Sequence, residues 1–190
     1  MILLIDNYDS FSYNLFQLIG GISPDIRVIR NDELSVSEIF ALSPSHIILS
    51  PGPGRPADAG VCEDVIRADA ARENPVPLLG VCLGHQAICE SFGARITYAK
   101  RLMHGKKSLI EAHGTLFEGI EGGFYVARYH SLAAADEGFP EALSVTARTD
   151  DGEIMAVEHK TLPIYGVQFH PESILTQHGR KMAENFISIR

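Results

Sequence analysis

Cysteine is scarce in this sequence. Cys62, Cys82 and Cys89 are the only three among 190 residues. An odd number of cysteines, with no C-x-x-C pair and no Cys/His ligand spacing, argues against a disulfide framework and against a structural zinc site. We therefore expect a reduced, cytoplasmic protein that binds no metal or other cofactor of its own.

Positive charge and long apolar runs are also limited. The 16 Lys and Arg residues against 24 Asp and Glu give a formal net charge of -8. Such a surface disfavours nucleic acid and anionic membranes as partners. No apolar stretch approaches the ~20 residues that a membrane-spanning helix needs, and the first residues lack the basic region of a signal peptide. The composition thus predicts neither a nucleic-acid partner nor a membrane partner.

Hydrophobic residues make up 45% of the sequence, which is enough for a sizeable core. In the first half, continuous apolar runs such as 1–5 and 46–49 alternate with segments of helical spacing, which predicts parallel strands joined by helices. From Ala94 onward, shorter alternating segments predict antiparallel or mixed strands. The prediction is one domain over residues 1–190 in the α/β class. It contains a doubly wound, mixed but mainly parallel sheet flanked by helices, with a small antiparallel strand extension.

The strongest chemical signal lies around Cys82. The apolar run 76–81 ends at this cysteine, Gly80 and Gly84 stand two residues to either side, and a helix-competent segment follows. A strand, a tight turn and a helix start in this order push the central side chain out of the sheet, and glycines leave room for a substrate. The helix start also favours the thiolate. The pattern indicates a nucleophile elbow, and the alternative is a buried structural cysteine beside a turn.

A second motif, His170-Pro171-Glu172, follows the last predicted strand, 164–169. Parallel strands of one sheet end at the same edge, so His170 can meet Cys82 despite the distance in sequence. A cysteine nucleophile needs a base, for which histidine is suited near neutral pH. A carboxylate two residues later can orient the imidazole through its other nitrogen. We interpret Cys82, His170 and Glu172 as nucleophile, base and orienting group.

A loop rich in proline and glycine, 50–56, follows the third predicted strand at the same edge. Backbone N–H groups of the Gly52 to Gly54 stretch and of Leu83 can hold an oxyanion there. Cys82 would attack a carbonyl, His170 would protonate the departing amine, and water would release the acid. The residues alone therefore predict a cysteine amidase or peptidase-like hydrolase and do not name its substrate.

Longer motifs resemble a known family. Two of them are similar to the signatures of class I (triad-type) glutamine amidotransferases: Gly80-Val81-Cys82-Leu83-Gly84-His85-Gln86 and Gln168-Phe169-His170-Pro171-Glu172. Segments 4–11, 50–54, 103–106 and 129–132 resemble one branch of that family, the amidotransferase components of anthranilate synthase and of aminodeoxychorismate synthase. The resemblance runs from residue 1 to the last residue and implies a flavodoxin-like fold.

The resemblance implies catalytic roles for five positions. Cys82 would be the nucleophile, His170 the base and Glu172 its orienting partner. Gly54 and Leu83 would provide the N–H groups of the oxyanion hole.

The resemblance also implies how the substrate, L-glutamine, would be held. Gln86 would hydrogen-bond it, and the backbones of Gly52 to Gly54 and of Ser131 and Leu132 would hold its amino-acid end. The two last positions carry no signal that the sequence pattern alone would single out.

A partner chain is the next implication. Released ammonia becomes ammonium in water near neutral pH and is then a poor nucleophile, so a shielded path to an acceptor enzyme is needed. The glutaminase fold is expected to use the whole chain, which leaves the chorismate site to a synthase partner: anthranilate synthase component I or aminodeoxychorismate synthase component I. Mg²⁺ is expected in that partner. The segment His104-Gly105-Lys106 would face it, and Lys107 departs from the usual family pattern there.

Several alternatives stay open. Anthranilate synthase, and hence tryptophan biosynthesis, is the favoured branch. Aminodeoxychorismate synthase, in folate biosynthesis, or one chain serving both is the alternative. A stand-alone cysteine hydrolase would turn over peptides rather than free glutamine, and a regulatory protein without turnover would not be labelled at Cys82 by a glutamine-analogue electrophile.

Overall fold

The computed structural model describes residues 1–100 and 105–190. These residues form eleven strands: β1 Ile2–Asp6, β2 Ile26–Arg30, β3 His46–Leu49, β4 Leu78–Val81, β5 Ile96–Tyr98, β6 Lys106–Ala112, β7 Phe124–Arg128, β8 Leu132–Ala134, β9 Leu143–Thr149, β10 Ile154–His159 and β11 Ile164–Val167. They also form five α-helices: α1 Ser12–Gly20, α2 Val36–Ala41, α3 Cys62–Ala70, α4 Leu83–Ser91 and α5 Gly179–Ser188. Short 3-10 helices lie at Pro56–Asp58 and Thr115–Phe117.

Nine of these strands form one sheet, in the order β2-β1-β3-β4-β11-β10-β9-β6-β7. The first five strands in this order pair in parallel, and the remaining four pair antiparallel. Strands β5 and β8 form a separate antiparallel pair. The predicted α/β class, with a mixed sheet flanked by helices, is therefore confirmed, and the antiparallel part both extends the main sheet and forms a second, small one.

Neighbouring residues of the central strands enter opposite faces of the sheet, because side chains alternate along a strand. Leu3 and Ile5 of β1 lie with Ile47 of β3 in one core, whereas Leu4 and Ile48 lie in the other. Helices α2, α3 and α4 cover the first core, and α1 and α5 cover the second. Burial on both faces explains why these strands read as continuous apolar runs.

The carboxyl ends of three adjacent strands bring the predicted motifs together. The loop 50–54 follows β3, Cys82 follows β4, and His170 lies three residues beyond β11. The Cys82 N–H donates to the Val167 carbonyl at 2.9 Å, which continues the pairing of β4 with β11 into the turn. Strand β11 ends at Val167 rather than at 169 as predicted, since the His170 N–H donates to Ala127 of β7 instead (3.2 Å). No helix within the described ranges is both long and apolar enough to cross a membrane.

Candidate active site

Cys82 sits at the tip of a strained turn between β4 and α4. Its backbone has φ 51° and ψ -98°, a conformation that costs a non-glycine residue about 1–3 kcal/mol. The flanking glycines are sterically required. A Cβ on Gly80 would stand 2.4 Å from the Gly84 carbonyl carbon, and a Cβ on Gly84 would stand 2.5 Å from the Leu49 oxygen. The predicted elbow is thus present, with the sulfur at the positive end of the nine-residue helix α4.

His170 is fixed between Glu172 and Cys82. Its Nδ1 lies 2.7 Å from Glu172 Oε1, and both side chains are almost fully buried. The Nε2 atom, which has no hydrogen bond of standard geometry within the described part of the chain, is the nitrogen left to face the sulfur; such contacts are often loose before substrate binds. Burial by itself lowers the pKa of His170, but the adjacent Cys82 and Glu172 side chains outweigh it and raise that pKa to about 10. The imidazole therefore carries a proton near neutral pH.

The glycine loop after β3 packs against the elbow. A Cβ on Gly52 would stand 2.8 Å from Leu83 Cδ2 and 2.5 Å from Asn7 Cβ, so only glycine allows this approach. Asn7 anchors the start of the loop, because its backbone N–H and its Nδ2 both donate to Ser50 at 2.8 Å. Gly54 has φ 83°, the left-handed region that favours glycine. The structure thus packs Gly52 against Leu83, the residue after Cys82, and Gly54 and Leu83 line the same cavity.

A line of amide groups connects the predicted glutamine-binding residues to the nucleophile. Gln86 Nε2 donates to the Leu132 carbonyl at 2.9 Å and lies 3.2 Å from Gln168 Oε1. Gln168 Nε2 in turn lies 3.6 Å from the Cys82 sulfur. Ser131, next to Leu132, is exposed. The sequence motif contains Gln168 but gives it no role. Its position inside the motif, two residues before His170, is the signal that could have found it.

One known protein family matches almost the whole chain. The family model described as glutamine amidotransferase class-I matches residues 3–189. This chain belongs to that family.

The amidotransferase is similar to curated proteins over nearly its whole length. It is 52% identical to anthranilate synthase component 2 of Pseudomonas aeruginosa, covering 98% of this chain and 94% of that protein. It is 50% identical to aminodeoxychorismate/anthranilate synthase component 2 of Bacillus subtilis, covering 98% and 95%. It also matches the bifunctional protein TrpGD of Thermotoga maritima at 50% identity but spans only 32% of that longer protein.

A solved structure agrees with the fold of the amidotransferase. A Thermoplasma acidophilum protein, whose name assigns it to GMP synthase, superposes with a TM-score of 0.86 at 28% identity. The match covers 98% of this chain and 91% of that one.

Aromatic rings border the histidine of the amidotransferase. The Tyr129 ring meets His170 edge-on with ring centroids 5.2 Å apart, and the half-exposed Phe11 lies 5.5 Å from Tyr129. His104, expected to face a partner, lies outside the described residues, whereas Lys106 and Lys107 are exposed at the start of β6. Within residues 1–100 and 105–190, no group of three or more His, Cys, Asp or Glu side chains could hold a metal ion.

His85 lies directly beneath the elbow and has no solvent-exposed surface. Its Nε2 is 3.7 Å from Cys89 Sγ, and a Cβ on Gly166 would stand 2.7 Å from its Nδ1. Complete burial lowers the pKa of His85 to about 3. The ring is therefore neutral under physiological conditions and acts as part of the packing under α4.

This burial predicts acid sensitivity. In the unfolded chain His85 takes up a proton near pH 6.5, whereas in the folded protein it does so only near pH 3. The unfolded state thus binds more protons between these values, and the free energy of unfolding should fall by about 1.4 kcal/mol per pH unit as pH drops from about 6 to 4. Urea unfolding at several pH values, compared with His85→Asn, measures this contribution. Parallel pH dependence in the two proteins would contradict it.

Proposed function

We propose that this amidotransferase hydrolyses L-glutamine through a thioester on Cys82 and passes the ammonia to a chorismate-binding synthase partner. The observation that carries the proposal is the placement of Cys82, His170 and Glu172 at one sheet edge, where the loop with Gly52 and Gly54 also lies and would form part of an oxyanion hole. A raised pKa of His170, caused by its two polar neighbours, gives a proton donor at neutral pH.

The chemistry follows from these positions. The Cys82 sulfur attacks the side-chain amide carbon of glutamine, and the carbonyl oxygen takes up negative charge facing the N–H groups of Leu83 and Gly54. Protonated His170 gives its proton to the amide nitrogen as the C–N bond breaks, so ammonia leaves and a thioester forms. Neutral His170 then takes a proton from water, which attacks the thioester and releases glutamate. Glu172, 2.7 Å from the ring, orients His170 in both forms and stabilises the imidazolium whenever it is present.

Glutamine would be held at its amino-acid end by the backbones of Gly52 to Gly54 and of Ser131 and Leu132, with Gln86 beside it. Support comes from the hydrogen bond of Gln86 Nε2 to the Leu132 carbonyl, 2.9 Å, which places this segment on the elbow side of the sheet. The exposed Ser131 gives a substrate access to that backbone.

The proposed partner is component I of anthranilate synthase, with Mg²⁺ in that partner and no cofactor in this chain. The Pseudomonas relative, which bears the name of anthranilate synthase component 2, supports this branch. Component I of aminodeoxychorismate synthase, or service to both synthases, is the second candidate, because the Bacillus relative is named for both enzymes.

Two further assignments belong to this proposal. Residues 1–190 would form a single amidotransferase domain, which is supported by a family match over 3–189. The cytoplasm would be its location, which is supported by three cysteines that are all free thiols.

The test is reconstitution with each purified component I in the presence of chorismate, glutamine and Mg²⁺. We expect anthranilate fluorescence to rise with the first synthase, to depend on glutamine, and to vanish after alkylation of Cys82. Glutamate release without fluorescence, combined with aminodeoxychorismate formation by the second synthase, would select the folate branch. Failure to release glutamate with either partner would overturn the glutaminase proposal.

A further inference from the structure

A buried ion pair lies behind the glutamine-binding segment. Arg128, the last residue of β7, donates from Nη2 to Glu153 Oε1, and the two side chains are 2% and 3% exposed. A fully buried Arg–Glu pair costs desolvation energy, and apolar residues of similar volume often stabilise a core as well or better. Stability alone is therefore a weak explanation for this pair.

The hydrogen bonds of the two side chains hold four segments in a fixed relation. Arg128 also donates from Nη1 to Ser108 Oγ of β6 at 3.1 Å. Glu153, just before β10, accepts the Lys100 backbone N–H on its second oxygen at 3.0 Å. Both carboxylate oxygens of Glu153 thus accept a hydrogen bond, and the Arg128 guanidinium donates to Glu153 and to Ser108.

The third donor of Arg128 fixes His130. The Arg128 Nε–H can only donate, and it points to His130 Nε2 at 3.2 Å. The Leu132 carbonyl can only accept, and it lies 2.8 Å from His130 Nδ1. The Leu132 carbonyl therefore places a proton on His130 Nδ1, while Nε2 faces both the Arg128 Nε–H and, at 3.4 Å, Glu153 Oε1. His130 therefore reaches from the ion pair to the backbone of Leu132.

Leu132 is where this network meets the site. Its carbonyl oxygen accepts from both His130 Nδ1 and Gln86 Nε2, and Gln86 continues through Gln168 to the Cys82 sulfur. The backbone orientation at residues 131 and 132 is thus set from one side by Gln86 and from the other by His130.

We propose that Arg128 and Glu153 are positioning residues for substrate binding: through His130, which both of them contact, they hold the 131–132 backbone in the orientation that receives the amino-acid end of glutamine. This inference rests on the proposed glutaminase function. The amino-acid end does not change during the reaction, so its contacts contribute equally to substrate and transition state. Loosening them should therefore raise KM more than it lowers kcat.

Glu153→Gln tests the role of the pair with minimal change of shape. An amide has one acceptor oxygen, whereas the carboxylate serves both Arg128 and the Lys100 N–H, so one of these bonds must be lost. In the complex with its synthase, we expect the KM for glutamine to rise about tenfold while kcat falls less than about threefold. Inactivation by a glutamine-analogue electrophile should slow by a similar factor, while alkylation of Cys82 by iodoacetamide keeps its rate.

A double variant separates positioning from stability. Arg128→Met combined with Glu153→Leu removes both charges and fills the buried space with apolar side chains, so folding is expected to be preserved. His130, however, loses the hydrogen bond from Arg128 Nε. A raised KM in a double variant of native stability supports the inference. A native KM in either the single or the double variant overturns it.

Two controls complete the experiment. Glu137→Gln breaks an exposed ion pair with Arg95, 2.8 Å long, and should leave KM unchanged. Phe186→Leu should destabilise the packing of α5 against His46 and Tyr165 with a native KM, and a raised KM there would assign the effect to stability and overturn the inference. If the unmodified protein hydrolyses no glutamine, the proposed function fails and this inference fails with it. A native KM in the variants of an active protein overturns the inference alone.

Discussion

Replacing Cys82 with serine is expected to lower glutamine-dependent product formation at least about 10³-fold, because a serine hydroxyl at this elbow is a far weaker nucleophile than a cysteine sulfur beside a protonated histidine. Synthesis from added ammonium should persist, since that reaction needs only the synthase partner. The substitution is close to isosteric, so the strained turn at φ 51° and the packing of Gly80 and Gly84 are expected to remain. Both activities are measured on the same reconstituted complex.

Cys62→Ser provides a matched control. Its sulfur donates to Asn7 Oδ1 at 3.2 Å, a bond that a serine hydroxyl can reproduce, and burial raises the pKa of the Cys62 thiol to about 12, which keeps it unreactive. We expect this variant to keep glutamine-dependent synthesis. Loss of both the glutamine and the ammonium reaction in Cys82→Ser would mean that residue 82 is structural.

Replacing His170 with alanine is expected to reduce glutamine-dependent activity about 10²–10⁴-fold, the usual contribution of a general acid–base group. The loss has two physical sources. Ammonia departs without a proton donor, and the Cys82 sulfur loses the positive charge next to it. Initial rates of glutamate release measure the effect, and mass spectrometry of the intact chain after mixing with glutamine shows whether a thioester still forms.

The control for this variant is His113→Ala, which removes an exposed histidine outside the site. It should retain full activity. Added imidazole should restore part of the activity of His170→Ala, because the vacated space lies next to Cys82. It should have no such effect on His113→Ala. If His170→Ala turned over glutamine at the full rate, this residue would not belong to the triad. If glutamine-dependent and ammonium-dependent synthesis both fell in His170→Ala, the loss would point to misfolding.

The chemistry at Cys82 could be predicted because its determinants are local in sequence. A buried strand must read as an apolar run, and a turn that forces φ above zero at its tip needs glycines where an added Cβ would stand only 2.4–2.5 Å from neighbouring backbone atoms. The motif at His170 is also local, since Glu172 reaches the ring across a single proline. Strand ends of one sheet share an edge, so the meeting of the two motifs followed from the fold class.

The chain by itself therefore determined the fold class, the nucleophile, the base and its carboxylate. The tertiary structure alone decided what supports them. The pairing of β8 with β5, the contact of Gln168 with Cys82, and the contact of Arg128 with Glu153 join residues that are remote in sequence. A lone Arg, Glu or Gln reads as a solvated surface residue in a sequence. Only burial, which depends on how the strands pack, turns it into a fixed hydrogen-bonding group.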